Sequence, residues 1–439
     1  MGCFISTPNA PGETRRKPKN VGEIAVFVPG LRIPKPVDFA EPIGDELSRR
    51  LVERLSALRT RIVVMAGQEA PMATKPRRKA TQHGGSTLAD LQQALEDYLP
   101  ILLGLVENGV YMISGNQLRD KLQFSWLNQE DDAEETTMAN SWYEILSVLQ
   151  MMTMLSLSQA NLLLLPKTST DGYQSKVSVA AQNFISCKIL SQLLKATISD
   201  SIPECRRESI DMFLKAAGYL DFAVNNVLPQ LPPEIRKNLP MDLTEGVLRA
   251  FCMQSLGQGV DVQLGMAIDS VNATVAVKRR FACELVKYWH EAQENIVNLP
   301  LANGWGDKHR LFVRWKYAEA KAAAYYLHGL ILDEGKTEGC SEMAAAALRA
   351  ADEFLKESKM TCESFHMTPP LSRNPPLWGT SKYLSEKIPK DISSRLPVNP
   401  GPQNYEMILQ TAPALPDFQL SLKPEDFILP SVDSSWKEN

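Results

Sequence analysis

The chain has 439 residues, of which 44% are hydrophobic and 22% are charged, a composition typical of a soluble globular protein with a large core. Its formal net charge of −4 argues against general nucleic-acid binding, because that function requires a basic face. The seven cysteines are scattered and never spaced as C-x-x-C. This pattern indicates reduced thiols in the cytosol, without a disulfide framework or a zinc site.

Residues 1–6 match a pattern for double acylation. Once Met1 is removed, Gly2 becomes the N-terminal residue, and Ser6 stands where the myristoylation pattern requires Ser or Thr. Cys3 is then placed for palmitoylation. Because one myristoyl chain binds a bilayer with an association constant of only roughly 10⁴ M⁻¹, the second chain would make the anchor durable. The alternative is an ordinary disordered start.

A small basic cluster follows this motif within residues 1–21, and anionic lipid headgroups would attract it. Its members are Arg15, Arg16, Lys17 and Lys19. The same range is rich in proline and lacks the apolar core of a signal peptide. We therefore expect residues 1–21 to be a disordered, lipidated basic leader.

The remainder of the chain is dominated by helical patterns. Residues 24–38 contain short apolar runs broken by prolines, which predicts a strand or an extended segment. Periodic apolar residues then predict helices over the ranges 44–67, 86–108, 139–164, 175–198, 205–228, 243–269, 272–298, 307–332 and 340–360. Prolines and glycines mark the loops between them, including one at Pro203, and the acidic run 130–135 predicts a solvated loop. Long antiparallel helices with short connections are typical of an α-solenoid or an elongated bundle.

One stretch, residues 142–165, is long and apolar enough to span a bilayer. It contains Glu144, Gln150 and Asn161, and such polar groups are costly in hydrocarbon. We therefore interpret it as the core helix of a large α domain.

Catalytic motifs are absent from the sequence. It contains no G-x-x-x-x-G-K-[ST], no G-x-S-x-G and no H-E-x-x-H. Glu363 and His366 have the spacing of half a di-iron site, but no second Glu-x-x-His completes it. We therefore expect no enzyme activity, no catalytic residue, no cofactor and no metal.

Residues 275–289 carry more apolar surface than one packing face needs. Val277, Phe281, Leu285 and Tyr288 form one helical stripe, and a second stripe lies beside it, so the apolar arc covers roughly 180° against about 100° for one core face. A middle solenoid helix packed on both sides would explain this arc. The alternative is an exposed apolar groove that accepts an amphipathic helix, and the adjacent basic run 278–280, beginning at Lys278, would favour an acidic one.

Several stretches in chain order resemble one family, the Bro-one (BRO-type, Alix-like) domain of accessory proteins of the endosomal sorting machinery (ESCRT). These are VFVP (26–29) with PVDF (36–39), LQFSW (122–126), WYEILSVL (142–149) running into LSQAN (157–161), FLKAAGYL (213–220) and LGQGVD (256–261). With its lipidation motif, the chain is most similar to plant stand-alone versions of this domain. Gly257 and Gly259 depart from the pattern, since the family has larger residues there.

The resemblance implies an all-α fold: a curved α-solenoid with tetratricopeptide-like helix pairs and a small N-terminal β element over residues 22–400. It also implies that an apolar patch binds the C-terminal amphipathic helix of the ESCRT-III core filament subunit. The patch positions fall on Leu264 (or Gln263), Val277 and Phe281, with Lys278 beside them. The V-shaped and proline-rich domains of longer family members have no counterpart in this sequence. The resemblance therefore does not imply binding of the viral and ubiquitin partners that those domains recruit.

The expected function is that of a non-enzymatic endosomal adaptor in multivesicular-body sorting and vacuolar protein transport. Its expected location is the cytosolic face of endosomal membranes, with the cytoplasm and plasma membrane as further locations. The alternative is a membrane-tethered helical scaffold for other signalling or trafficking proteins, without ESCRT-III binding. Residues 401–439 form a Pro-rich extended tail, which is interpreted either as a linear docking motif or as a segment packed over the domain.

Overall fold

The structure is a computed structural model that describes residues 26–43, 47–69, 88–107, 120–128, 135–164, 190–300, 305–335, 340–371, 382–395, 408 and 411–438. Eleven α-helices lie in these ranges: α1 (Ala40–Ile43), α2 (Arg49–Glu69), α3 (Leu88–Glu107), α4 (Ser141–Leu164), α5 (Leu190–Phe222), α6 (Pro233–Lys237), α7 (Glu245–Asp269), α8 (Val275–Ile296), α9 (Trp305–Glu334), α10 (Cys340–Met367) and α11 (Lys382–Arg395). The strands are β1 (Arg32–Pro34), β2 (Phe124–Asn128) and β3 (Glu135–Met138). The predicted helical solenoid with a small N-terminal β element is confirmed.

The three strands form one antiparallel sheet in the order β1-β2-β3. Ile33 pairs with Leu127, and Trp126 pairs with Thr136. Burial alternates along β2, as expected for a sheet with one face against the core. β1 lies within the predicted extended segment 24–38, whereas Glu135 begins β3, although the acidic run was predicted to be a loop. The rest of that run lies outside the described residues.

Helix α4 is the centre of the N-terminal half and is buried around its whole circumference from Tyr143 to Leu157. It is long and apolar enough to cross a membrane, but 78% of its most apolar window is buried within the protein. The interpretation as a core helix is therefore confirmed.

Glu144 is a fully buried carboxylate on α4. It forms an ion pair with Arg59 of α2 and accepts a hydrogen bond of 2.7 Å from Trp126 Nε1 of β2. Burial raises the pKa of Glu144, while Arg59 and Trp126 act in the opposite direction. These three residues link α2, β2 and α4, because each comes from a different element.

Helices α7 to α10 pack as consecutive antiparallel neighbours, and α5 packs between α4 and α7. The bounds of α7, α8 and α9 agree with the predicted ranges within three residues. The predicted break at Pro203 is wrong, because α5 continues through that residue. The C-terminal half of α5 buries Phe213, Ala216 and Leu220 against its neighbours, and this packing outweighs the hydrogen bond that one proline removes.

The C-terminal segment, residues 411–438, runs over the helices in reverse chain order, mostly in extended form, and ends in a 3₁₀ helix, Ser434–Glu438. Glu425 N donates to Leu214 O of α5 at 3.1 Å, and Asp433 N donates to Pro100 O of α3 at 3.0 Å. Trp436 is buried, and its Nε1 donates to Ile101 O at 3.1 Å. Of the two interpretations of the tail, packing over the domain is the one that these contacts confirm.

Candidate docking site

In the hairpin of α7 and α8, Leu264 and Phe281 lie at similar distances from the turn that joins the two helices. Leu264 lies five residues before the end of α7, and Phe281 lies six residues after the start of α8. At about 1.5 Å per residue, they are roughly 7.5 and 9 Å from their helix ends. The hairpin has a defined turn because Thr274 caps α8, its side chain accepting a hydrogen bond from Val277 N at 3.4 Å.

The patch residues differ in accessibility. The Val277 side chain is 43% exposed, and Phe281 is half-buried with one side packed against the core. Leu264 is only 7% exposed and belongs to the core, so it offers little surface of its own. Gln263 and Lys278 are half-buried. The accessible apolar surface therefore consists of Val277 and the outer side of Phe281.

The wide apolar arc of α8 divides into a sealed part and an open part. Ala282, Leu285 and Trp289 are fully or almost fully buried, and the Trp289 ring meets Phe312 of α9 at a centroid distance of 5.8 Å. Packing against neighbours thus accounts for this side of the helix. The same packing does not cover Val277, which leaves an apolar edge at the N-terminal end of α8.

Basic side chains flank this edge on two sides. Arg280 Nε lies 3.1 Å from Glu284 Oε1 on the following turn, and the Arg280 side chain remains half exposed. Arg279 turns towards α9, where it lies 3.3 Å from His328 Nδ1. Burial and the Arg279 charge lower the pKa of His328, so this imidazole adds no positive charge at neutral pH. The charges that face solvent beside Val277 are therefore those of Lys278 and Arg280.

The C-terminal segment contacts α8 immediately beyond the patch. Ser421 donates from its backbone N at 2.9 Å and from Oγ at 2.6 Å to Glu284 Oε2. The Tyr288 hydroxyl donates to Leu422 O at 2.6 Å, and Lys287 binds Phe418 O and the Asp417 carboxylate.

The sequence analysis did not predict that the C-terminal segment contacts α8. Its one local signal is Glu284, an acidic residue surrounded by apolar positions of α8. Its partner in the C-terminal segment, Ser421, is 137 residues away in sequence, a separation at which periodicity carries no information.

The remaining sequence predictions about sites fall into two groups. Gly2 and Cys3 lie outside the described residues. Within the described part of the chain, no group of three or more His, Cys, Asp or Glu side chains could hold a metal ion. His366 Nδ1 instead lies 2.8 Å from Cys362 O, one turn earlier in α10.

Several solved structures are similar to this chain in architecture. A structure described as an ALIX BRO1 CHMP4C complex superimposes with a TM-score of 0.55 at 15% identity, covering 93% of this chain and 98% of that one. The fold is that of a Bro1 domain. ALIX in complex with the SIVmac239 PYKEVTEDL late domain gives a TM-score of 0.55 at 16% identity, with 93% of this chain covering 50% of the other.

A third structure, described as the structural basis for endosomal targeting by the Bro1 domain, gives a TM-score of 0.52 at 13% identity and covers 95% of both chains. No protein-family model and no curated protein matches the sequence. The Bro1-like fold predicted from short motifs is thus confirmed by three-dimensional similarity, at identities that carry information about the fold alone.

Proposed function

We propose that this chain is a non-enzymatic adaptor that binds an amphipathic helix of an ESCRT-III subunit at the N-terminal end of α8. The observation that carries the proposal is the exposed Val277 beside the half-buried Phe281, on a helix whose other apolar side is sealed. The ALIX structure with the same fold was solved with CHMP4C, which supports a partner of this class.

The site favours a particular partner chemistry. Val277 and Phe281 are one turn apart and match apolar residues at i, i+3 and i+4 of a docked helix. Lys278 and Arg280 flank them, so acidic residues beside the apolar stripe of the partner would raise the association rate and select the orientation. The expected ligand is therefore a short acidic amphipathic helix.

The proposed place of action is the cytosolic face of endosomal membranes, in multivesicular-body sorting. Acyl chains on Gly2 and Cys3, with the basic leader, would hold the solenoid beside the lipid. A single helix in a shallow patch is expected to bind with micromolar affinity, about −8 kcal/mol. Attachment of both partners to one membrane would compensate through a high effective concentration.

Fluorescence anisotropy with a labelled peptide of the CHMP4C C-terminal helix tests the docking site. We expect micromolar binding to the purified chain and at least a tenfold loss with Phe281→Asp, because a carboxylate would replace the apolar contact. Val271→Asp is the matched control, since Val271 lies at the same end of the hairpin and is 98% exposed in the turn. Equal binding by wild type and Phe281→Asp would remove the patch from the mechanism. Absence of binding by both would favour the scaffold without an ESCRT-III contact.

A membrane test addresses the leader separately. Gly2→Ala should move the protein from the membrane fraction to the soluble fraction in cells, because it removes the acceptor for myristate. Retention of the variant on membranes would show that another element provides the anchor.

A further inference from the structure

Three glycines on three different helices lie directly beneath the C-terminal segment. Gly104 of α3 lies under the Trp436 ring, and Gly218 of α5 lies under the carbonyl oxygen of Glu425. At Gly259 of α7, a Cβ atom would be 2.9 Å from Leu422 Cδ1. These are the glycine contacts. At Gly104 and Gly218 the segment approaches the helix more closely than a Cβ atom would permit, whereas at Gly259 the Leu422 side chain could shift to make room.

Between the glycine contacts the segment packs apolar side chains on the helices and forms few backbone hydrogen bonds to them. Its backbone N–H groups bond to helix carbonyls at Glu425 and Asp433, and no strand ladder forms along its described residues. Lys423, Asp426 and Ile428 are exposed. The segment is therefore held mainly by its side chains on the helix surfaces, and it is not itself part of a helix pair or of a sheet.

The crossing point lies on the same face of α8 as the docking patch. Val277, Phe281, Glu284 and Tyr288 follow the i, i+4, i+7, i+11 spacing of one helix face. The first two form the patch, and the last two bind Ser421 and Leu422. One continuous face of α8 is thus divided between an open end and an end occupied by the chain itself.

A docked helix would meet this boundary. Three contact residues spaced i, i+4 and i+7 span roughly 10 Å, so a helix that starts at Val277 and runs along α8 reaches the level of Glu284. Ser421 already occupies that level, and it donates two hydrogen bonds to a carboxylate that is fully buried. The third contact of the partner and the segment would therefore require the same space.

We propose that residues 417–436 are an intramolecular ligand that competes with the partner helix for this face of α8. Release of the segment extends the docking site to Glu284 and Tyr288. The extended site selects a partner helix that places a hydroxyl or amine donor at the Ser421 position, since Glu284 then needs a replacement donor. This inference rests on the proposed function, because it concerns the same docking site.

The glycine contacts provide variants that act on the segment alone. Gly218→Ala places a methyl group against the Glu425 carbonyl, which is backbone and has to move. Within α5 itself the change is favourable, because alanine is a better helix former than glycine. Gly67→Ala in α2 is the matched control, since no atom lies within 4 Å of its added methyl group. Leu422→Asp is a second release variant, which places a carboxylate beside Gly259 and Glu284.

Release is measured by limited chymotrypsin digestion of the full chain, with cleavage after Phe427 as the readout. In the wild type this ring packs edge-on against Tyr219 and Phe222 at 4.9 and 5.3 Å. We expect Gly218→Ala and Leu422→Asp to accelerate cleavage at least tenfold, and Gly67→Ala to leave it unchanged. Unchanged cleavage in both release variants would overturn the proposal, because the segment would then be a fixed part of the domain.

Competition is measured by anisotropy with the CHMP4C peptide on the same proteins. We expect the release variants to bind five- to tenfold more tightly than wild type and Gly67→Ala. Faster cleavage with equal peptide affinity would overturn the competition and leave the docking patch intact. Faster cleavage without peptide binding by any protein would instead contradict the proposed function.

Discussion

Helices α4 and α8 both carry apolar residues around much of their circumference, but only α4 is completely enclosed. Neighbouring helices and the sheet surround α4, and every residue from Tyr143 to Leu157 is buried. α8 has helices on two sides only, and its outer face is covered by Ser421 and Leu422 or left open at Val277. A wide apolar arc thus indicates that several neighbours cover the helix. It does not specify whether the outermost neighbour is a core helix, an extended segment of the same chain or a partner protein.

Each helix also contains one fully buried carboxylate, and the two differ in what neutralises them. Glu144 of α4 is bound by Arg59 and Trp126, which belong to elements of the core. Glu284 of α8 is bound by half-exposed Arg280 and by Ser421 of the C-terminal segment. A buried charge is costly unless its partners stay in place. The first carboxylate therefore stabilises a permanent junction, whereas the second depends on a segment that can leave.

The largest expected difference between the helices comes from removing these charges. Glu144→Gln leaves Arg59 buried without a counter-charge, so it should lower the free energy of unfolding by about 3–5 kcal/mol. Glu284→Gln is the matched variant and should cost about 1–2 kcal/mol, because Arg280 can reach water. Urea denaturation followed by circular dichroism provides both values. Similar losses would show that the segment is as integral to the fold as the core junction.

Apolar truncation provides a second test of the same contrast. Val148 of α4 is fully buried, so Val148→Ala should cost about 2 kcal/mol through lost burial and the cavity it creates. Val277→Ala should cost less than about 0.5 kcal/mol, since this side chain is 43% exposed. Val277→Ala should still weaken peptide binding. A large loss of stability in this variant would mean that Val277 belongs to the core and not to a docking surface.

The contrast between α4 and α8 also explains which features the sequence could predict. Long helices were predicted with bounds close to those observed, from a 3.6-residue period in α8, where only part of the circumference is buried, and from a long apolar run in α4. α11 was missed, since Pro389 lies within it and prolines surround it. Pro203 was read as a break because periodicity does not report the packing that continues α5 through it.

The site was predictable only to the extent that it depends on local spacing. The family resemblance assigned Val277 and Phe281 to the patch, while the width of the arc left a helix packed on both sides or an exposed groove open. In the structure Val277 is 43% exposed and Phe281 is half-buried. Leu264 (or Gln263) was assigned to the same patch, but Leu264 is only 7% exposed, and how α7 packs against its neighbours is not a property of local spacing. The segment contacts were not predictable, since Glu284 and Ser421 are joined only by the complete fold. The structure explains why Gly257 and Gly259 depart from the family pattern, since Trp289 and Leu422 occupy the space that larger side chains would fill.

A dependence on pH separates the core of the C-terminal half from the segment that crosses it. His309 of α9 is buried, stacked on Phe251 at a centroid distance of 4.0 Å, and burial lowers its pKa from 6.5 to about 3. The unfolded chain therefore binds a proton between pH 6.5 and about 3 that the folded chain does not, so stability is lost as the pH falls through this range. Between pH 7 and pH 5 the loss is about 2 kcal/mol.

Asp261 of α7 acts with the opposite sign in the same range. Burial raises its pKa to about 6, so its protonated form stabilises the fold at low pH, and this contribution is lost as the pH rises through that value. The difference in unfolding free energy between wild type and His309→Phe isolates the histidine, because Asp261 is common to both proteins. This difference should change by about 2 kcal/mol in favour of the variant on acidification from pH 7 to pH 5. Chymotrypsin cleavage after Phe427 should respond equally to pH in the two proteins, since His309 is buried among core residues, stacked on Phe251 and hydrogen-bonded to Gln254. If cleavage differed between the two proteins in the same way as their stability, the segment would open only when the core unfolds. The C-terminal segment would then be as much a part of the fold as the core helices.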